Sequence, residues 1–257
     1  MDAPAYALVT GASKGLGKFF ARALAARKQN LVLVARGPAK LDALAAELRA
    51  AHAVQVEPLV FDLAAPQAGQ RLAAELRARK LHIDLLVNNA GFGLRGEFRQ
   101  MSLAEQLNMI QLHDTTAVEL TYELLPAMIE AGGGRIINVS SMAGFQPVPY
   151  AALYSATKSF LTNFSMALRE ELRAVNVKIV TVCPGRLQPD PDESQAGRSK
   201  VPGGEQAQAE VVAETLRKLD AGGGLVIPGR RNRWMQFGQR LLPPNAVPKI
   251  VAKKSKP

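Results

Sequence analysis

The sequence predicts one doubly wound α/β domain with a parallel sheet of seven strands. Short apolar segments alternate with longer amphipathic segments along most of the chain. The apolar segments carry hydrophobic residues on both faces, as strands buried between two layers of helices do. A glycine-rich turn joins the first strand to the first helix, as in dinucleotide-binding folds. An eight-stranded α/β barrel is the competing architecture, but it would need another strand–helix pair, and a phosphate loop on the first unit fits it poorly.

The elements are predicted from this alternation in chain order. Strands are expected at residues 6–10, 31–35, 54–61, 84–88, 134–140, 177–183 and 225–227. Helices are expected at residues 16–27, 40–51, 67–80, 102–130, 153–175 and 205–221. No linker interrupts the pattern, so residues 1–229 are expected to form one domain, followed by a C-terminal extension at residues 230–257.

Composition narrows the class of protein. The 257 residues are 47% apolar and 21% charged, which is ordinary for a globular chain able to bury a sizeable core. The single cysteine, Cys183, excludes an intrachain disulfide, and its place in a predicted strand favours a buried core residue. Neither a signal peptide nor an apolar run of about 18 residues is visible, so we expect a cytoplasmic enzyme.

The turn after the first strand reads Thr10-Gly11-Ala12-Ser13-Lys14-Gly15-Leu16-Gly17. Glycines allow a tight turn and a close approach of the backbone to a pyrophosphate, while the start of the helix offers unpaired N–H groups and the positive end of its dipole. The spacing Gly-x-x-x-Gly-x-Gly differs from the phosphate loop of nucleoside triphosphatases. The strand–turn–helix context predicts a dinucleotide site.

Arg36 follows the second strand, where NAD-binding folds usually carry an acidic residue on the ribose 2′-hydroxyl. A guanidinium can instead pair with a 2′-phosphate, and Lys14 and Ser13 could face the same corner. The sequence therefore favours NADP(H) as cofactor. A solvated Arg36 and Lys14 would leave NAD possible.

Two further strand ends carry polar or small residues. Asp62 and Leu63 close the third strand, where Asp62 either accepts from the adenine amino group or caps the next helix. Asn88-Asn89-Ala90-Gly91 closes the fourth strand, and its small residues would admit a ribose against the backbone.

Tyr154 and Lys158 stand one helical turn apart in the helix predicted at residues 153–175. Positions i and i+4 share a helix face, so both heads can point into one pocket. A nearby ammonium should lower the tyrosine pKa towards neutrality and make the phenol a proton donor and acceptor for a carbonyl–alcohol pair.

Together these motifs resemble the short-chain dehydrogenase/reductase family, in the family's order from the glycine turn to Pro184-Gly185. The resemblance implies that Tyr154 is the general acid/base, that Lys158 binds the nicotinamide ribose, and that Ser141 hydrogen-bonds the substrate oxygen. Ser140 is the alternative if that register is wrong. It also implies that Pro184, Gly185 and nearby backbone groups such as that of Leu187 contact the nicotinamide, and that the protein is a homodimer or homotetramer.

Two positions depart from the family pattern. His113 stands where the family has an asparagine that holds a relay water behind the lysine; an imidazole titrates near neutrality and could substitute, or it could be a core or interface residue. The segment that begins at Pro184-Gly185 lacks the family's threonine. Residues 184–204, rich in Pro, Gly, Asp and Ser, are a candidate lid.

The C-terminal extension is basic and partly apolar. The chain has 32 Lys and Arg against 22 Asp and Glu, a formal net charge of +10. The extension contains no acidic residue, and its cations are Arg230, Arg231, Arg233, Arg240, Lys249, Lys253, Lys254 and Lys256. Its apolar residues include Trp234, Met235, Phe237, Leu241 and Leu242. Two interpretations stay open, a helix packed on this or a sister subunit and a peripheral contact with an anionic membrane. Nothing else indicates nucleic-acid binding.

The sequence thus predicts an NADP-dependent oxidoreductase that acts on a small, hydrophobic carbonyl or alcohol. Variable stretches at residues 93–98, 145–153 and 188–204 are expected to line its substrate pocket. A nucleotide-binding or membrane-surface protein with the same fold and little turnover is the alternative, motivated by His113, the missing threonine and the basic extension.

Overall fold

The computed structural model describes residues 4–190, 205–243 and 245–255. An open, fully parallel sheet of seven strands runs through its centre in the order β3-β2-β1-β4-β5-β6-β7. The strands are β1 (Ala5–Thr10), β2 (Asn30–Ala35), β3 (Val56–Val60), β4 (His82–Asn88), β5 (Gly134–Val139), β6 (Val177–Val182) and β7 (Gly224–Val226). The predicted doubly wound fold is confirmed, and the free edges at β3 and β7 rule out the barrel.

Helices cover both faces of the sheet. They are α1 (Gly15–Ala26), α2 (Pro38–His52), α3 (Ala68–Ala78), α4 (Leu103–Ile110), α5 (Thr116–Glu130), α6 (Ala152–Glu171), α7 (Gln208–Asp220), α8 (Arg230–Arg240) and α9 (Ala246–Ser255). Apolar residues of α1, α2 and α7 form a core on one face, with Phe20 fully buried. Those of α3, α5 and the end of α6 form a second core on the other face, around Leu72 and Leu120.

The predicted helix at residues 102–130 is divided by a π-helical turn. Ser102 caps α4 by accepting the backbone N–H of Glu105, and the chain then passes through a π turn at Gln111–Thr115 into α5. Such a turn inserts one extra residue into the helix and re-aims the side chains beside it. His113 lies in this turn.

The order of the strands places a crevice at the carboxyl ends of β1 and β4. The chain moves outwards from β1 to β3 and then returns to the other side of β1, and ligands of open α/β sheets bind where this reversal occurs. Thr10 and Asn89 join the two strand ends: the Thr10 hydroxyl accepts the backbone N–H groups of Asn89 and Ala90, at 2.9 and 3.0 Å.

The C-terminal part contains two helices that the strand–helix alternation did not predict, α8 and α9. Within the described ranges, no helix combines the length and the apolarity needed to cross a bilayer. Most of the candidate lid, residues 191–204, lies outside the described residues. The crevice is lined by five residues from the first part of this segment, Pro184, Gly185, Leu187, Gln188 and Asp190.

Candidate active site

One cleft of about 900 Å³ collects the residues that the sequence singled out. Of the predicted site residues only Gly17 does not line it. The lining residues from that set are Gly11, Ser13, Lys14, Gly15, Leu16, Arg36, Asp62, Leu63, Asn89, Ala90, Gly91, His113, Ser141, Tyr154, Lys158, Pro184, Gly185 and Leu187. The cleft runs from the glycine turn to the start of α6, a size that suits a dinucleotide.

The glycine turn is tightly packed on the end of β4. Gly11 has φ +65°, and a Cβ there would lie 2.9 Å from Cα of Ala90. Gly17 is one turn into α1, where a Cβ would lie 2.3 Å from the carbonyl oxygen of Gly11. Neither position has room for a side chain. Gly17 therefore packs behind the glycine turn, against Gly11, and does not line the cleft.

The start of α1 is arranged to attract an anion. The first turn of the helix contains no acidic residue of its own, and unpaired N–H groups and the positive end of the dipole at a helix start attract anions. The structure adds a partner that sequence reasoning missed, because Asp190 accepts the N–H of Gly15 at 3.2 Å and lies 3.6 Å from Nζ of Lys18. Asp190 is almost fully buried. A carboxylate thus lies where an anionic ligand would be expected.

Arg36 and Asp62 lie at the outer end of the cleft. Arg36 is exposed, and it lines the cleft together with Ser13 and Lys14, as the sequence predicted. The Asp62 carboxylate accepts the N–H of Ala64 at 3.0 Å, a local turn contact, and it does not cap α3, which begins at Ala68 with Gln67 as its N-cap.

Tyr154 and Lys158 project from the first turns of α6 into the inner end of the cleft. Lys158 is buried, and its ammonium donates to the carbonyl oxygen of Val139 at 3.0 Å. Ser141 is hydrogen-bonded to Tyr154, whereas the hydroxyl of Ser140 donates to the carbonyl oxygen of Lys158 at 2.8 Å. Ser141 is therefore the serine that meets the phenol.

The expected lowering of the tyrosine pKa by Lys158 is wrong in this structure. Burial raises the pKa of Tyr154 above its ordinary value, and the hydrogen bond from Ser141 offsets only part of this effect. The Lys158 ammonium lies 6.0 Å from the centre of the tyrosine ring and is directed to Val139. Burial lowers the pKa of Lys158 to about 8, against the opposing effects of Asp114 and Cys183.

His113 is held by hydrogen bonds on both ring nitrogens. Nε2 accepts the backbone N–H of Phe92 at 3.1 Å, so the neutral ring carries its proton on Nδ1. Nδ1 lies 3.0 Å from the hydroxyl of Thr157, which donates in turn to the carbonyl oxygen of Tyr154 at 2.9 Å. A Cβ on Gly91 would lie 2.7 Å from Nε2, so glycine is needed there for the ring to fit.

The expected titration of His113 near neutrality is also wrong. Burial, followed by the charge of Lys158, lowers its pKa to about 2, so the ring is neutral at working pH. With both nitrogens engaged by protein groups, it offers no free nitrogen to a relay water. Its ring also packs edge-on against Tyr154, with the ring centres 6.0 Å apart.

Asp114, the next residue in the π turn, was missed by the sequence analysis. Burial raises the pKa of its carboxyl to about 7, and the nearby charge of Lys158 lowers it in part. Its Oδ1 is buried and has no hydrogen-bond partner among the described residues. The sequence signal that could have identified Asp114 was an acidic residue in a predicted helix where neighbouring residues such as Leu112 are apolar. Cys183 is fully buried as predicted, and burial raises the pKa of its thiol to about 11.

Known proteins share both the sequence pattern and this architecture. A family model described as short chain dehydrogenase matches residues 5–198. Ketoacyl reductase HetN from Nostoc sp. is 38% identical over 178 residues, which cover 69% of this chain and 62% of that protein. Human very-long-chain 3-oxoacyl-CoA reductase is 33% identical over 183 residues, covering 70% and 58%. The chain thus spans about three fifths of these relatives' length.

Solved structures extend the match to nearly the whole chain. A short-chain dehydrogenase from Sphingobium yanoikuyae, solved in complex with NADPH, is 33% identical. It superposes with a TM-score of 0.81 and covers 93% of this chain and 94% of that one.

Proposed function

The chain belongs to the short-chain dehydrogenase/reductase family, and on that premise we propose that it is an NADPH-dependent reductase of small, hydrophobic carbonyl compounds. The observation that carries this proposal is that one cleft contains both the anion-attracting start of α1 and the group Ser141, Tyr154 and Lys158. The bound NADPH of the Sphingobium yanoikuyae relative supports the choice of cofactor.

The residues of the cleft fit a phosphorylated dinucleotide. Gly11 leaves a cradle that a Cβ would fill, and the start of α1 can hold the pyrophosphate. Arg36 and Lys14 would hold the 2′-phosphate, and Lys158, at the inner end of the cleft, would hold the nicotinamide ribose. When bound there, NADPH supplies the hydride that reduces the carbonyl carbon.

Tyr154 is proposed to give the proton that the new alcohol oxygen needs. Because burial raises its pKa, the phenol is fully protonated at neutral pH and is ready to donate. Ser141 would hold the substrate oxygen and stabilise the negative charge that develops there. Lys158, whose pKa burial lowers to about 8, would return a proton to the phenolate left behind. These protonation states favour reduction over oxidation.

The substrate class follows from the inner wall of the cleft. Phe92, Leu112 and Val139 give it an apolar surface beside Tyr154. The names of the relatives, ketoacyl and very-long-chain 3-oxoacyl-CoA reductases, add 3-oxoacyl thioesters to the candidate ketones and aldehydes. NADPH oxidation followed by absorbance across such a panel identifies the class.

Tyr154→Phe tests the proposed role of Tyr154 as the proton donor. The change removes only the hydroxyl, so kcat should fall by at least about a hundredfold, the usual contribution of a positioned proton donor. NADPH binding, measured by fluorescence, should be retained. Tyr122→Phe removes the same group from an exposed position on α5 and is the matched control. Turnover that is equal in the two variants would disprove the assignment.

Arg36→Ala tests the cofactor. Loss of a charge-assisted contact to the 2′-phosphate should weaken NADPH binding by about tenfold to a hundredfold and leave NADH unaffected. Arg27→Ala removes an exposed arginine at the far end of α1, paired with Asp220, and should change neither. Equal losses for both cofactors would contradict 2′-phosphate recognition.

A nucleotide-binding protein with little turnover is the second candidate. It is favoured by His113, which is locked and neutral where the family has its relay asparagine. Tight NADPH binding without turnover of any member of the carbonyl panel would select this function.

We also propose a homodimer or homotetramer. Two long helices carry exposed apolar side chains, with Tyr122 on α5 and Phe160 and Met166 on α6. A four-helix contact between subunits would bury them. Light scattering after size exclusion, which gives the mass directly, tests this; a monomer would refute it.

A further inference from the structure

Helix α8 exposes the apolar face that a surface helix normally buries. Trp234 is 70%, Phe237 54% and Leu241 72% exposed, and these positions recur at the i, i+3 and i+7 spacing of one helix face. The Trp234 and Phe237 rings contact each other edge-on with their centres 6.2 Å apart. Met235 and Leu242 are exposed beside them in the chain, and Ile250 is exposed on α9. Large apolar side chains that share one exposed helix face mark an interaction site rather than scattered exposed residues. We call this surface the α8 face.

Cations accompany the apolar side chains of the α8 face along the chain. Arg230, Arg231 and Arg233 are exposed along the helix, and Lys249 is exposed on α9. Of these, Arg233 forms an ion pair of 3.1 Å with Glu214 on α7. The segment from residue 230 to residue 257 contains eight Lys and Arg and no Asp or Glu. An occupant of the α8 face must therefore accept aromatic and aliphatic side chains and also be anionic.

We propose that the α8 face docks on the surface of an anionic lipid bilayer. Tryptophan, phenylalanine and leucine enter the boundary between headgroups and acyl chains, while flanking arginines and lysines pair with anionic headgroups. The helix lies in the plane of the surface and does not cross the bilayer. A second copy of the chain fits less well, because a two-fold contact places the same patch on both subunits and so sets cations against cations.

Docking through the α8 face would bring the cleft close to the lipid. Gln239 in α8 donates to Gln146 at 2.7 Å, just after the turn that follows Ser141. Asn232 donates to Gln206 at 2.9 Å, and the same oxygen of Gln206 accepts the N–H of Gly185 at 3.1 Å. The helix is thus tied to two loops of the cleft. This arrangement suits a hydrophobic substrate drawn from the membrane, a consequence that rests on the proposed function.

Flotation of the full chain with lipid vesicles tests the docking itself. The protein should float with vesicles of phosphatidylcholine mixed with phosphatidylglycerol, and much less with phosphatidylcholine alone. Trp234→Ala combined with Phe237→Ala should weaken binding at least about tenfold, because two aromatic side chains no longer enter the lipid. Arg230→Gln combined with Arg231→Gln should weaken it about thirtyfold at low salt.

The matched control makes the same charge change at the amino ends of the strands, opposite the end at which the cleft opens. Arg79→Gln combined with Arg173→Gln removes two exposed arginines that precede β4 and β6, and this pair should float like the unmodified protein. Circular dichroism and turnover of a water-soluble ketone establish that every variant is folded. This readout also separates the two proposals, since flotation does not require turnover.

Three outcomes would overturn the proposal. The first is failure of the unmodified protein to float with anionic vesicles, and the second is equal flotation of the α8 variants and the control. The third is a dimer that the aromatic substitutions dissociate, without vesicle binding, which would assign the α8 face to a second copy of the chain.

Discussion

Replacing His113 with asparagine should reduce the loss of stability that the protein suffers in weak acid. The imidazole is 2% exposed, both nitrogens are hydrogen-bonded, and its pKa is lowered from 6.5 to about 2. In the unfolded chain it regains its ordinary pKa. Below pH 6.5 the unfolded state therefore binds a proton that the folded state does not bind, and the free energy of unfolding falls as the pH falls towards 2.

The magnitude follows from the two pKa values. Between pH 7.5 and pH 5 the unfolded imidazole goes from mostly neutral to almost fully protonated, while the folded imidazole stays neutral. The linkage relation then gives a loss of about 2 kcal/mol for this residue. The figure depends mainly on the unfolded pKa, because pH 5 lies far above the folded one. Asparagine cannot titrate, so the His113→Asn variant has no such pH-dependent loss of stability at this position.

Urea unfolding of both proteins at pH 7.5 and pH 5 measures the effect. The comparison must be between the two proteins, because Asp114 contributes with the opposite sign: its raised folded pKa makes the folded state gain a proton as pH falls through about 7. The unmodified protein should lose about 2 kcal/mol more than His113→Asn. Parallel losses would refute the reasoning, since the imidazole would then be protonated in the folded state. His113→Gln serves if the asparagine variant fails to fold.

Two further changes test the phosphate end of the cleft. Gly17→Ala places a Cβ 2.3 Å from the carbonyl oxygen of Gly11 and should lower the free energy of unfolding by about 1–3 kcal/mol. Denaturant titration measures this, and an unchanged midpoint would show that the glycine turn can shift to accommodate the methyl group. Asp190→Asn removes the carboxylate that accepts the N–H of Gly15 and should tighten NADPH binding by roughly twofold to fivefold, whereas Asp220→Asn should not. Weaker NADPH binding by Asp190→Asn would contradict this and would mean that the Asp190 carboxylate holds the start of α1 in the conformation that binds the cofactor.

The sequence alone determined the architecture, and it predicted the main candidate site residues. Buried parallel strands are apolar on both faces and glycines are required where a Cβ would collide, and both constraints are local, so they can be recognised in the order of residues. The same holds for Tyr154 and Lys158, whose spacing on a helix puts them on one side. Their placement in a single cleft with the glycine turn agrees with those predictions.

The tertiary structure decided the protonation of the site. His113 is neutral because the fold buries its ring at the π turn and brings the charge of Lys158, from a distant part of the chain, close to it. Asp190 reaches Gly15 across 175 residues. A pKa depends on burial and on neighbours in space, and the periodicity of helices and strands in the sequence does not reveal which distant residues become those neighbours.

The C-terminal extension shows the same division. Its charge and its interleaved apolar residues are plain in the sequence, and they left both a packed helix and a membrane contact open. Only the fold shows that Trp234 and Phe237 point away from the core while Asn232 and Gln239 tie α8 to the cleft. An amphipathic pattern records that a helix has two faces, and the packing of the remaining chain decides which of them meets the solvent.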